Sequence, residues 1–160
     1  MSSQRIDYGG APASNQIEVT VFGPGYGEAI AVHVGLGRWL LIDSCIAPDS
    51  DIPASADYLR KIGVPTNAVK AIVASHWHDD HVRGMSQLVD AYPTADLIIS
   101  AVFADKQARA FLAAYSGFEC SGLSRGTKEM YHSLKGRPWI PATNRTEVFQ
   151  DRSSSIGQEQ

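Results

Sequence analysis

The sequence predicts a single α/β domain, and three observations carry that prediction. Apolar segments of strand period alternate along the middle of the chain with segments of helical period. The 160 residues, 44% of them apolar, suffice for one buried core. A polar cluster, His76-Trp77-His78-Asp79-Asp80-His81, follows directly on a continuous apolar run, and open α/β sheets carry their sites just past the carboxyl ends of buried strands.

Residues 1 to about 15 are small and polar and residues 151–160 polar and serine-rich, so both ends read as loose around a folded 16–150. Ile17, Val19 and Val21 alternate with Glu18 and Thr20, and Ile30, Val32 and Val34 alternate with small residues and His33. That period of two is expected of half-buried strands, and the glycine-rich stretch 23–27 is the turn between them. After a second turn at 35–37, residues 39–42 run continuously apolar into Asp43, as a strand covered on both faces would. Ser50 or Asp51 can cap a helix whose first turn tolerates Pro53, with Tyr58, Leu59 and Ile62 as its apolar stripe and Gly63 and Pro65 as its stop.

Residues 71–74 form the next buried strand, which delivers the chain into the histidine cluster. Met85, Leu88, Val89 and Tyr92 then mark a helix ending at Pro93, and residues 97–99 another strand. Residues 104–115, alanine-rich with Phe111 and Leu112, read as helix. A shorter helix covers 128–134 and ends at Gly136, and a last short strand lies at 147–149.

A formal charge of −3 and a pI near 5.9 leave no basic face, so strong non-specific binding to nucleic acid is not expected. No stretch has the length and apolarity of a membrane span, and the N-terminus lacks the apolar core of a signal peptide; the expected compartment is the cytoplasm. Cys45 and Cys120 are too distant in sequence for a ligand pair and too few for a disulfide framework, which predicts two reduced thiols.

The six-residue cluster holds three of the chain's five histidines and two carboxylates. Neutral imidazoles and carboxylates suit zinc, iron or manganese. His76 and His78, two apart in an extended turn, can aim at one point, while Asp80 and His81 face a second point nearby. Paired ions roughly 3.5 to 4 Å apart generate a nucleophile from water at neutral pH, and hydrolysis is the reaction they favour. Three histidines within six residues, interleaved with aspartates, weigh against a merely solvated cluster. Asp79 reads as a solvated carboxylate, and Trp77 as either cleft lining or packing beneath the loop.

These residues resemble the H-x-H-x-D-H signature of the metallo-β-lactamase superfamily, standing here as His76, His78, Asp80 and His81. The resemblance extends to the strand 39–42 that ends in Asp43. Within the superfamily, residues 22–30, 58–64 and 82–85 are similar to the hydrolase-like domain of bacterial DNA-uptake channel proteins. It implies an αββα sandwich, of which this chain holds the N-terminal half plus a few further elements. It implies Zn2+ as cofactor, with Mn2+ or Fe as alternatives and two ions in a complete protein. His76 and His78 would bind the first ion, and Asp80 and His81 the second. Asp80 would also orient the attacking water, making it the catalytic residue, and Asp43 would hold the loop from behind the ligands.

The family's second half contributes a third histidine and a bridging aspartate, and the sequence offers no match for either. His132 reads as a solvated helical histidine and His33 as pointing away from the metals. Asp151 has too few residues before it for a whole second half. The chain therefore reads as incomplete.

The leading function is a metal-dependent hydrolase acting on a small-molecule or phosphodiester substrate, with Arg83, Lys106, Arg109 and Arg125 as basic residues that could meet a phosphate or simply be solvated. The alternative is a catalytically silent metal-binding or interaction fragment. A redox diiron centre would need an acidic residue in place of His76 or His78.

Overall fold

The computed structural model describes residues 9–23, 25–48, 50–100, 110–114 and 124–142. Most of the expected helix 104–115, the strand expected at 147–149, and Lys106, Arg109, Cys120 and Asp151 lie outside them. Among the described residues, six strands form one mixed sheet whose spatial order repeats the order along the chain: β1 (Glu18–Phe22), β2 (Ala29–His33), β3 (Trp39–Ile42), β4 (Val69–Ala74), β5 (Asp96–Ser100) and β6 (Ile140–Ala142). The first two pairings are antiparallel and the remaining three parallel, with helical crossovers between the parallel strands.

Helix α1 (Ala54–Lys61) follows β3. Its amino end is set by Pro53; the expected cap is displaced because the Ser50 hydroxyl instead accepts from the Ile52 N–H at 3.0 Å, closing a separate turn. Asp57 pairs with Arg60 at 2.8 Å and Lys61 at 2.6 Å along its exposed side. At the carboxyl end, Gly63 N–H donates to Arg60 O and Val64 N–H to Leu59 O, the double bond pattern of a Schellman stop. A 3-10 turn at Thr66–Ala68, not anticipated from sequence, leads into β4.

The helix expected around 85–92 is preceded by a separate single turn. Helices α2 (Asp79–Val82) and α3 (Met85–Ala91) are divided at Arg83 and Gly84, where Gly84 has φ +82°, a conformation an α-helix does not continue through. Residues 110–114 are helical. Helix α4 (Arg125–Leu134) begins three residues earlier than its apolar pattern suggests, because the Ser124 hydroxyl caps it by accepting from Thr127 N–H at 3.2 Å.

One face of the sheet carries Ala31, Trp39, Leu41, Ile72, Ala74, Leu97 and Ile99, which share a core with Leu59 of α1, Met85 and Leu88 of α3, and Met130 and Leu134 of α4. Each large apolar side chain buried there contributes about 1.5–3 kcal/mol.

The alternation in β1 and β2 marks strands, but the buried row is not the branched one. In β2, Ala29, Ala31 and His33 are buried, and in β1 the row Glu18, Thr20, Phe22 turns toward α1, with the Tyr58 hydroxyl donating to Glu18 Oε1 at 2.6 Å. Small residues let α1 approach, and Tyr58 satisfies the one charge on that row. Val19 and Val21 are left 61% and 66% exposed, continuous across the sheet with half-buried Ile30, Val32, Leu40, Ile42 and Val73. No helix among the described residues is long and apolar enough to cross a membrane.

Candidate metal centre

β4 is an interior parallel strand, and the chain leaves its carboxyl end at Ser75. His78 is still extended (φ −83°, ψ 148°), so His76 and His78 share one side of the segment, their ring centroids 4.8 Å apart. The single turn α2 then folds the chain back, with His81 and Val82 N–H groups both donating to His78 O at 3.0 and 3.1 Å. This brings the His81 ring to 3.9 Å from that of His76. Neighbouring segments pin the turn from outside. Glu28 N–H donates to Asp80 O at 3.0 Å, Ser44 N–H to His81 O at 2.7 Å, and the Ser44 hydroxyl to Arg83 O at 2.9 Å.

Asp43 organises the inside of this loop. Its backbone lies in the left-handed region (φ +58°), which an aspartate tolerates better than most residues, and its carboxylate is nearly buried. Oδ1 accepts from Ser75 N–H at 2.8 Å, while Oδ2 accepts from the Ser75 hydroxyl at 2.7 Å and faces His81 Nδ1 at 2.9 Å.

These contacts fix both tautomers. A carboxylate only accepts, so in the neutral ring His81 Nδ1 carries the proton and Nε2 the lone pair. The Ser75 hydroxyl spends its proton on Asp43, so toward His76 Nδ1, 2.9 Å away, it accepts; the His76 Nε2 lone pair is therefore also free. Orientation of a ligating imidazole through its other nitrogen is how metal sites fix their donors.

Two groups of side chains bring one ligand atom each to within 4.8 Å of one another: His76, His78 and Asp80, and Asp43, His76 and His81. The first has the imidazole and carboxylate donors that suit a divalent cation. In the second, Asp43 already faces three donors, the Ser75 N–H and hydroxyl and His81 Nδ1–H. His81 Nε2 faces Asp80 Oδ2 at 3.6 Å, so Asp80 lies between the two groups. Glu28 Oε1 stands 3.7 Å from His81 Nδ1, so Glu28, Asp43 and Asp80 together make a negative surround that favours a cation.

Ser75 and Glu28 are participants that the sequence reading did not single out. The only signal for Ser75 is its place between a buried strand and the first histidine. Asp79, read as a solvated carboxylate, instead accepts a hydrogen bond from Gly126 N–H. Trp77 packs against the core beside Phe111, with ring centroids 5.2 Å apart. His33 is fully buried beside Trp39, and neither of its ring nitrogens has a hydrogen-bond partner; it belongs to neither ligand group. His132 is exposed on α4. Cys45 is a buried free thiol behind the loop, pushed up to about 11 by burial and by the charge of Glu28.

No curated protein sequence gives a significant match. Among solved structures, the chain is similar to the metallo-β-lactamase SMB-1 with 2-mercaptoethanesulfonate bound (20% identity, 58% of this chain and 35% of that one, TM-score 0.42). It is also similar to the metallo-β-lactamase MIM-2 (24% identity, 66% and 38%, TM-score 0.43). A third is AbOPH, a hydrolase in the β-lactamase superfamily (27% identity, 67% and 38%, TM-score 0.41). The chain thus spans little more than a third of the length of each of these structures. The sequence profile of the metallo-β-lactamase superfamily matches residues 22–115, more than half of the chain and inclusive of every candidate ligand. The chain belongs to the metallo-β-lactamase superfamily.

Proposed function

We propose that this chain carries the metal-binding part of a metal-dependent hydrolase, with His76, His78, Asp80 and His81 as ligands and zinc as the metal the donor set suits best, ahead of manganese or iron. The observation that carries this reading is the convergence of His76, His78 and Asp80 to within 4.8 Å, with Asp43 and Ser75 leaving the His76 and His81 Nε2 lone pairs free. A divalent cation held by these side chains supplies Lewis acidity and a lowered pKa for water. The Asp80 carboxylate, 45% exposed, is reachable by a water molecule that it would orient toward an ester-type bond. Phosphodiesters are the substrate class we favour, on the resemblance of residues 22–30 to the DNA-uptake branch. Arg83, next to the loop, is partly exposed there.

A silent metal-binding fragment is the second reading. Among the described residues, every candidate ligand except Asp43 comes from 76–81, and Asp43 already faces three donors.

Metal content and turnover of bis(p-nitrophenyl) phosphate by the purified chain decide between them. The hydrolase reading expects bound metal, and cleavage that Asp80→Ala abolishes. Tight metal with no turnover of any ester supports the fragment reading, and no metal uptake sinks both.

A further inference from the structure

The ligand loop rests on a helix that the family signature does not include. Helix α2 is a single turn, too short to hold itself by its own hydrogen bonds, so its persistence depends on outside ties. Two of them, Glu28 N–H to Asp80 O and Ser44 N–H to His81 O, act at its middle and carboxyl end. The amino end, where His78 meets Asp79, is tied by Asp79 Oδ1, which accepts from the Gly126 N–H in the first turn of α4.

The fit is close. A Cβ on Gly126 would lie 2.6 Å from Trp77 O and 2.8 Å from Asp79 Oδ1, so only glycine lets α4 approach the loop this far. The first turn of α4 is satisfied in two parts, Thr127 N–H by the Ser124 hydroxyl and Gly126 N–H by Asp79. The Asp79 carboxylate thus lies at the positive end of the ten-residue α4.

Helix α4 is itself firmly mounted. Met130 and Leu134 are buried in the core, and Glu129 Oε2 accepts from the Ser86 N–H at 3.2 Å and hydroxyl at 2.7 Å, capping α3. Just past α4, Arg137 donates to Val89 O at 2.9 Å near the other end of α3.

We propose that Asp79 is a positioning residue of the metal centre: by binding Gly126 it seats the amino end of α2 on α4 and so sets the separation of His78 and Asp80. The inference rests on the metal-binding reading above and adds to it the residue that holds the ligands in register.

The test uses the full 160-residue chain with Co2+ as spectroscopic probe, comparing Asp79→Ala, Asp79→Asn and Gly126→Ala. Asp79→Ala should bind Co2+ about 10- to 100-fold more weakly, as loss of an orienting partner does, with altered visible bands. Asp79→Asn keeps a carbonyl acceptor and should restore the wild-type spectrum and most of the affinity. Gly126→Ala should weaken Co2+ binding as well, since its Cβ meets Trp77 O and Asp79 Oδ1, and the double variant should lose less than the sum of the single losses because the Asp79–Gly126 contact is common to both. Without metal, amide exchange at 76–82 should be faster in both variants.

Wild-type affinity and bands in Asp79→Ala would overturn the positioning role alone. So would equal impairment of Asn and Ala, which would make the charge, not the seat, responsible. A wild-type chain that takes up no Co2+ removes the metal-binding reading and this inference together. If Asp79→Ala does not fold, Asp79→Asn against Gly126→Ala carries the comparison.

Discussion

His81 Nδ1 lies 2.9 Å from Oδ2 of Asp43, a residue 38 positions earlier at the end of the neighbouring strand. The same oxygen receives the Ser75 hydroxyl, which in turn meets His76, so one carboxylate sets the tautomers of two imidazoles. Asp43→Asn tests this cleanly, because asparagine has the same shape and tolerates the left-handed backbone. One amide cannot accept from all three donors. The expected result is metal affinity lower by about 10- to 100-fold with the fold retained, read by competition with a chromophoric chelator alongside circular dichroism.

Ser75→Ala should act in the same direction but less strongly. It frees His76 Nδ1, yet the Ser75 backbone N–H still reaches Asp43 Oδ1 at 2.8 Å and His81 keeps its own partner. The same competition titration should place it between wild type and Asp43→Asn. A loss as large as that of Asp43→Asn would mean that the Asp43–His81 contact contributes little.

Val19 and Val21 present an apolar row to solvent on an edge strand, and such rows drive association. Val19→Lys with Val21→Lys should reduce concentration-dependent self-association in sedimentation and lower binding of a hydrophobic dye. Stability should change by no more than about 0.5 kcal/mol per site, as for surface positions generally. A large drop in the unfolding midpoint would show that the row is covered in solution.

The Cys45 thiol, ordinarily near 9.0, is pushed up to about 11 by burial and by Glu28. The unfolded chain therefore ionises first. Stability from this group is fully present below pH 9 and is lost as the pH rises from 9 toward 11. Urea midpoints across pH 7 to 11 should fall less steeply in Cys45→Ala, whatever the plateau. A residual slope should remain above pH 10, because burial pushes Tyr92 up to about 12. Identical slopes in variant and wild type would show that Cys45 does not titrate this way.

Much of the fold was legible because the parallel strands 39–42 and 71–74 announce themselves as apolar runs, and the candidate ligand cluster because its donors fall within the six residues 76–81. What escaped was set by partners distant in sequence. The buried row of β1 and β2 could not be read from alternation, since choosing Ala31 over Val32 depends on where α1 packs, and the Glu18 charge is acceptable inward only because Tyr58 meets it. Asp79 looked solvated because Gly126, its partner, lies 47 residues on. The start of α4 was missed because its first turn, Arg125–Gly126–Thr127, has no apolar periodicity and is held by a cap and a tertiary contact instead.

The strand order has a consequence for how the molecule comes into being. Since the described strands stand in the sheet in chain order from β1 to β6, each strand after β1 leaves the ribosome with its pairing edge already synthesised. The histidine loop is the exception: it emerges by residue 81, but its seat on Gly126 arrives only with α4. The sheet thus matures ahead of the histidine loop, whose candidate ligands lack the Asp79–Gly126 contact until α4 has been made.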